Sequence, residues 1–212
     1  IFTADASISD HMACSSMQFG WGNQINRFKN PQYMYGNFYD VATEWMFCEF
    51  KPSRSEEYTV EAFNNFAGTE KVKYFYADNA GELIASARAL GWPNGTSTPG
   101  CPQTNGLAER MVQRVKDGIR VFLVQSGLDK SWCEWAAKCF CFGFDTEGEP
   151  SPYESRHGVQ ANHDRIPFGA RVDFMPTPAD AEKFGPFEPK TRSGIFLGYH
   201  QQPGGRFNGD YY

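Results

Sequence analysis

No stretch of this sequence approaches the roughly 18 consecutive apolar residues of a membrane span, so no membrane role is expected. No CxxC pair occurs. The six cysteines stand at 14, 48, 101, 133, 139 and 141, without the spacing of a zinc site or a disulfide framework. Cys139 and Cys141 lie in the apolar run WAAKCFCFGF, where a free thiol serves as a small hydrophobe. The four histidines, at 11, 157, 163 and 200, are too scattered to suggest a metal site. Positive charge is also short. A formal net charge of −5 excludes a chain that binds nucleic acid over its whole surface, so any such face must be local. Neither a basic leader nor a signal-type apolar stretch opens the sequence, and there is no initiator methionine. We expect an intracellular protein, nuclear or cytoplasmic, and a fragment of something longer. Asn94-Gly95-Thr96 matches a glycosylation sequon, but with no sign of secretion it reads as a turn.

What is present is an alternation of β-type and helical patterns. Residues 1–8 read as a first strand, and 14–37 as irregular, rich in Asn, Gly and aromatics. FYDVATEWMFCEFKP, at 38–52, reads as the next strand. SRSEEYTVEAFNNFAG follows with helical spacing at Tyr58, Val60, Phe63 and Phe66. A β-run over 71–77 ends at Asp78-Asn79-Ala80-Gly81, and ELIASARALGW makes a short helix closed by Gly91. Residues 96–100 hold room for a short strand. The strongest period covers 107–123, with Leu107, Ala108, Met111, Val112, Val115, Ile119, Phe122 and Leu123 on one face. DKSWCEWAAKCFCFGF begins another helix, apolar nearly all round and therefore buried. This order predicts an α/β core over 1–145, a Pro/Gly-punctuated linker over 146–165 and a small β-module over 166–212. The module carries the runs ARVDF and SGIFLGYH and a Pro-Gly-Gly turn at 203–205.

Three carboxylates stand where such a fold gathers function. Asp5 lies inside the first expected strand, Asp78 ends the strong one, and Glu109 opens the long helix. Each has an ordinary reading as well: a solvent-facing strand residue, a turn former, a partner of the helix dipole. Brought together, such acids repel and raise one another's pKa unless a cation neutralises them. Magnesium, a hard oxygen-seeking ion, does this, and a pair of such ions serves phosphodiester chemistry. From Arg110 to Arg120 there are four basic residues (Arg110, Arg114, Lys116, Arg120) against one acid, Asp117. At 100° per residue, Glu109, Gln113, Lys116 and Arg120 form one stripe leading away from the acid, a track suited to a phosphate backbone.

Four stretches in order, DNAGEL, STPGCPQTNGLAER, SPYE and FEPKTRSGIFLGYH, resemble the integrase region of copia-type long-terminal-repeat retrotransposon polyproteins, within the retroviral integrase superfamily. The likeness is strong from about residue 70 to 200 and weaker before. It implies a ribonuclease-H-like core, a mixed five-stranded sheet flanked by helices, with an SH3-like β-module behind it. It implies a D,D-E triad in a two-metal site for Mg²⁺ or Mn²⁺, with Asp78 as second acid and Glu109 as third. Asp5 of TAD is the best match to the first acid, and Asp10 beside His11 competes with it. The implied activity is that of a polynucleotidyl transferase in DNA integration, trimming 3′ ends and joining them to target DNA. Asn105, Arg110, Gln113, Lys116 and Arg120 are then nucleic-acid contacts, and the partners are element and target DNA and further copies of the chain. The alternative is a decayed relative that binds nucleic acid without catalysis. Two departures stand out: Glu44 occupies a position usually held by glycine in such text, and the interval from Asp78 to Glu109 is short.

Overall fold

A computed structural model of the chain describes residues 12–17, 34–51, 55–77, 79–97, 106–177, 184–185 and 187–212. Five strands, β1 (Met12–Met17), β2 (Met34–Asp40), β3 (Met46–Lys51), β4 (Phe75–Ala77) and β5 (Asn94–Thr96), form one sheet in the order β3-β2-β1-β4-β5. β1 runs antiparallel to β2 and parallel to β4, with Met12 opposite Asp40 and Cys14 opposite Ala77. β2 and β3 are antiparallel, and β4 and β5 parallel. Parallel neighbours need a crossover, and α2 (Gly81–Ala89) supplies the one between β4 and β5. β1, β4 and β5 thus run in the same direction, and Ala77 at the end of β4 lies level with Cys14 of β1 and Phe38 of β2.

The stretch 38–52, expected as one strand, is a hairpin. Asp40 makes the turn: its carboxylate accepts from the Ala42 amide at 3.1 Å and from the Thr43 hydroxyl at 2.8 Å. The Asp40 amide donates to the Trp45 carbonyl, closing the loop at 2.8 Å. Val41 and Thr43 carry β-propensity, so composition conceals a turn that a side-chain carboxylate builds. Within 14–37, expected to be irregular, parts of β1 and β2 are found; pairing on both sides of β1 overrides weak alternation. The first strand expected at 1–8 lies outside the described residues. Asn94-Gly95-Thr96, read as a turn, is β5, and Gly95 lies so close under the Tyr74 hydroxyl that a Cβ would sit 2.1 Å from it.

α1 (Glu56–Ala67) begins where the Ser55 hydroxyl accepts from the Tyr58 amide, with Glu56 and Glu57 at the positive end of the helix dipole. It buries Phe63 and Phe66 against Phe38 and Phe47, with the Phe38 and Phe66 rings stacked at 5.4 Å. α3 (Gly106–Ser126) and α4 (Cys133–Asp145) pack together, the bare face of Gly118 admitting the Phe140 ring. Ala108, Met111, Val112, Val115 and Ile119 are buried as the periodicity anticipates, and each larger apolar side chain contributes about 1.5–3 kcal/mol. Cys139 and Cys141 are buried in α4, and burial pushes the Cys139 thiol up to about 12 and that of Cys141 well up. They are neutral hydrophobes.

The stretch 146–165 contains α5 (Pro152–His157), capped by Ser151 and ended by Gly158 in left-handed backbone. Tyr153 and Arg156 of α5 are buried. Two-stranded sheets follow, β6 (Arg171–Phe174) with β7 (Arg192–Ile195), and β8 (Tyr199–Gln201) with β9 (Phe207–Tyr211). The Phe142 ring of α4 stacks on Tyr199 at 4.3 Å and meets Phe207 at 5.4 Å. Phe168, Phe196 and Tyr199 are thus continuous with the core of the sheet. Among the described residues, no helix is long and apolar enough to cross a membrane.

Candidate functional site

The start of α3 is aimed by one buried amide. Asn37 of β2, turned so that both its amide atoms are satisfied, donates to the Phe47 carbonyl at 3.2 Å and accepts from the Val112 amide at 3.3 Å. Two residues further along α3, Arg114 acts electrostatically on Tyr39, two residues further along β2; burial and Glu44 raise the Tyr39 pKa, and Arg114 opposes them. Asp78 directly follows Ala77, the last residue of β4.

Glu109 is exposed in the first turn of α3, where a carboxylate also favours the helix dipole. Asp5, Asp10, Asp78 and Asn105 lie outside the described residues. Among the described residues there is no group of three or more His, Cys, Asp or Glu that could hold a metal ion, and the expected triad has one member there, Glu109. Its oxygen donors have the hardness that Mg²⁺ and Mn²⁺ select.

The basic stripe is less free than its composition implies. Asp117 accepts from the Gln113 amide at 2.9 and 3.0 Å and pairs with the Arg120 guanidinium, so one acid holds two members of the track. Arg110 folds back on its own helix, its Nε donating to the Gly106 carbonyl at 3.2 Å. Arg114 lies over the Phe144 ring at 5.0 Å. Lys116 is half-buried at the flank of the apolar face. The helical period showed the stripe. It did not show that i, i+3 and i, i+4 spacing lets Asp117 quench it.

Sequence reasoning also missed a buried polar cluster where β2 turns into β3. Arg156 places its guanidinium between the Trp45 and Phe66 rings, at 5.4 and 4.9 Å. Its Nη1 is 3.5 Å from Asp40, its Nη2 donates to the Phe66 carbonyl at 2.6 Å, and its Nε donates to the Gly204 carbonyl at 3.1 Å. Asp145 accepts from the Met46 amide at 2.8 Å, and burial drives its carboxyl pKa well up. Burial holds His157 down to about 4, with Arg156 and Arg206 adding to the effect. The one local signal was Asp40 three residues before Thr43, a spacing in which a carboxylate caps a turn.

No protein-family model matches the chain. The Retrovirus-related Pol polyprotein from transposon RE1 of Arabidopsis thaliana is 26% identical over 193 residues, covering 84% of this chain and 13% of that polyprotein. The resemblance to copia-type retrotransposon Pol sequence holds. The chain spans a small part of the polyprotein's length. A crystal structure of the catalytic core domain of BIV integrase aligns with a TM-score of 0.49 at 15% identity, covering 69% of this chain and 92% of that one.

Proposed function

We propose that this chain is the catalytic core of a retrotransposon integrase, a metal-dependent polynucleotidyl transferase acting on DNA. The observation that supports this most is the packing of α3 on β1 and β2 of a five-stranded mixed sheet. Asp78 follows β4 in the sequence and Glu109 stands in the first turn of α3, which agrees with a ribonuclease-H-like core in which the two acids serve one site. Asp78, Glu109 and Asp5 would hold Mg²⁺ or Mn²⁺. The ions, when bound, would activate the attacking oxygen and stabilise the leaving one. The protein's own part is to position DNA along α3 through Asn105, Arg110, Gln113, Lys116 and Arg120, which fix register without reading sequence. On this reading the chain acts as a homo-oligomer on element ends and target DNA, and the β-tail is the counterpart of an SH3-like module.

One observation favours a second reading, a decayed core that binds nucleic acid without catalysis. β1, the central strand beside β4, reads MACSSM and has no acidic residue. A strand-transfer assay with Mg²⁺ or Mn²⁺, on the wild type and Glu109→Gln, separates the two. Product from the wild type and loss of it in the variant supports the catalytic core. Equal product from both would overturn the metal-triad assignment. DNA binding without product in either selects the second reading.

A further inference from the structure

We propose that α5 and the β8–β9 hairpin form a strap locked across the end of the sheet where β1 begins, which opens only when the core itself opens. The proposal stands independently of the catalytic reading. Its ground is the way three distant segments meet on the Pro-Gly-Gly turn at 203–205.

The turn is seated on the end of α1. The Gly204 amide donates to the Asn65 carbonyl at 2.7 Å, and its backbone lies against Gly68, the glycine that ends α1. A Cβ on Gly68 would stand 2.6 Å from the Gly204 Cα, so two backbones touch where no side chain fits. Gly205, at φ 86°, lies over the indole of Trp45, and a Cβ there would come within 2.1 Å of the ring. Two glycines thus bring the tail down onto the α1 end and onto the residue between β2 and β3. Both glycines of the turn adopt positive φ, which a residue with a Cβ resists.

Arg156 closes the strap from beneath. It comes from α5 and binds the turn through the Gly204 carbonyl, α1 through the Phe66 carbonyl, and the hairpin through Asp40. The Tyr153 hydroxyl, one turn earlier on α5, accepts from the Phe207 amide at the start of β9. Phe142 of α4 covers Tyr199 and Phe207 from the other side. A surface tether would cost little to release. Here release takes the Arg156 guanidinium away from Asp40, whose side chain is 0% exposed, and uncovers Trp45 and Phe142, both fully buried. Asp40 lies opposite Met12, the first residue of β1, so the strap crosses the end of the sheet where β1 begins.

Native-state hydrogen exchange on the full chain, followed residue by residue in low denaturant, tests this. The amides of Gly204, Gly205 and Phe207 are expected to exchange with the protection and denaturant dependence of Phe38 and Met46 in the sheet. Tail amides that exchange about tenfold faster or more, with a shallower denaturant slope, would overturn the strap. In Arg156→Lys the charge opposite Asp40 is kept, but one ammonium cannot span three segments. Its tail amides are expected to exchange at least about tenfold faster than in the wild type while the sheet amides hold. Tail exchange unchanged in the variant would likewise overturn the role of Arg156. The wild-type comparison decides the strap itself even where the variant fails to fold.

Discussion

Arg156 and Asp40 face each other at 3.5 Å, with side chains 1% and 0% exposed. A buried pair of this kind adds little by itself, because desolvation offsets the attraction between the charges. Removing one partner is different, since the other stays buried without compensation. Asp40→Asn keeps the shape of the turn at Ala42 and Thr43 but leaves the guanidinium charge unopposed at that position. Urea unfolding is expected to show a loss of about 3–5 kcal/mol. A loss below about 1 kcal/mol would mean that Asp145 alone balances Arg156.

Asp117 is the acid that restrains the basic stripe of α3. If DNA runs along this helix, Asp117→Asn releases Arg120 and Gln113 to phosphate. Affinity for double-stranded DNA is expected to rise several-fold, and the slope of log affinity against log salt to steepen by about one. Fluorescence anisotropy across a salt series measures both. Adding Arg120→Gln should cancel the steeper slope. A slope that Asp117→Asn does not change would place the stripe away from DNA.

Glu44 is the non-glycine residue with positive φ among those described, at 60° in the hairpin turn. The left-handed conformation costs a residue with a Cβ roughly 1–2 kcal/mol, part of which glycine gives back as unfolded-chain entropy. Glu44→Gly is therefore expected to stabilise the fold by about 0.5–1 kcal/mol in thermal or urea unfolding. This exposed position is where the resembling sequences usually carry glycine. A destabilised variant would show that the Glu44 side chain contributes more than the strain costs.

His157 makes stability depend on pH in a definable window. Its folded pKa is depressed to about 4 by burial and by the Arg156 and Arg206 charges, while the unfolded imidazole titrates near 6.5. Between these values the unfolded chain binds more protons than the folded one. The contribution of His157 is present above about 6.5 and is lost as pH falls toward 4. Asp145 works in the opposite sense, since a carboxyl pKa raised by burial favours folding at low pH and opposes it as pH climbs. Unfolding midpoints from pH 7 to 4 should fall less steeply in His157→Phe than in the wild type. Parallel curves would remove His157 as the titrating group.

The core of this protein was legible where one element buries one periodic face. α1, α2, α3 and α4 each appear close to their expected limits, because helical spacing and a terminal cap act within a dozen or so neighbouring residues. The resemblance to retrotransposon Pol sequence was legible too, since it rests on ordered motifs. The tertiary structure alone decided how β1 and β2 pair, because strand pairing is set between residues far apart and weak local alternation carries no trace of it. It alone showed that FYDVATEWMFCEFKP bends at Asp40, since a carboxylate makes that turn and not a glycine or proline. Above all it decided where α5 and the β8–β9 hairpin attach. The sequence shows Arg156 as one more charged residue in a polar stretch, whereas its partners, Asp40, Phe66 and Gly204, come from three other segments. Local chemistry determined which helices form, and long-range burial of a single guanidinium determined what the tail is attached to.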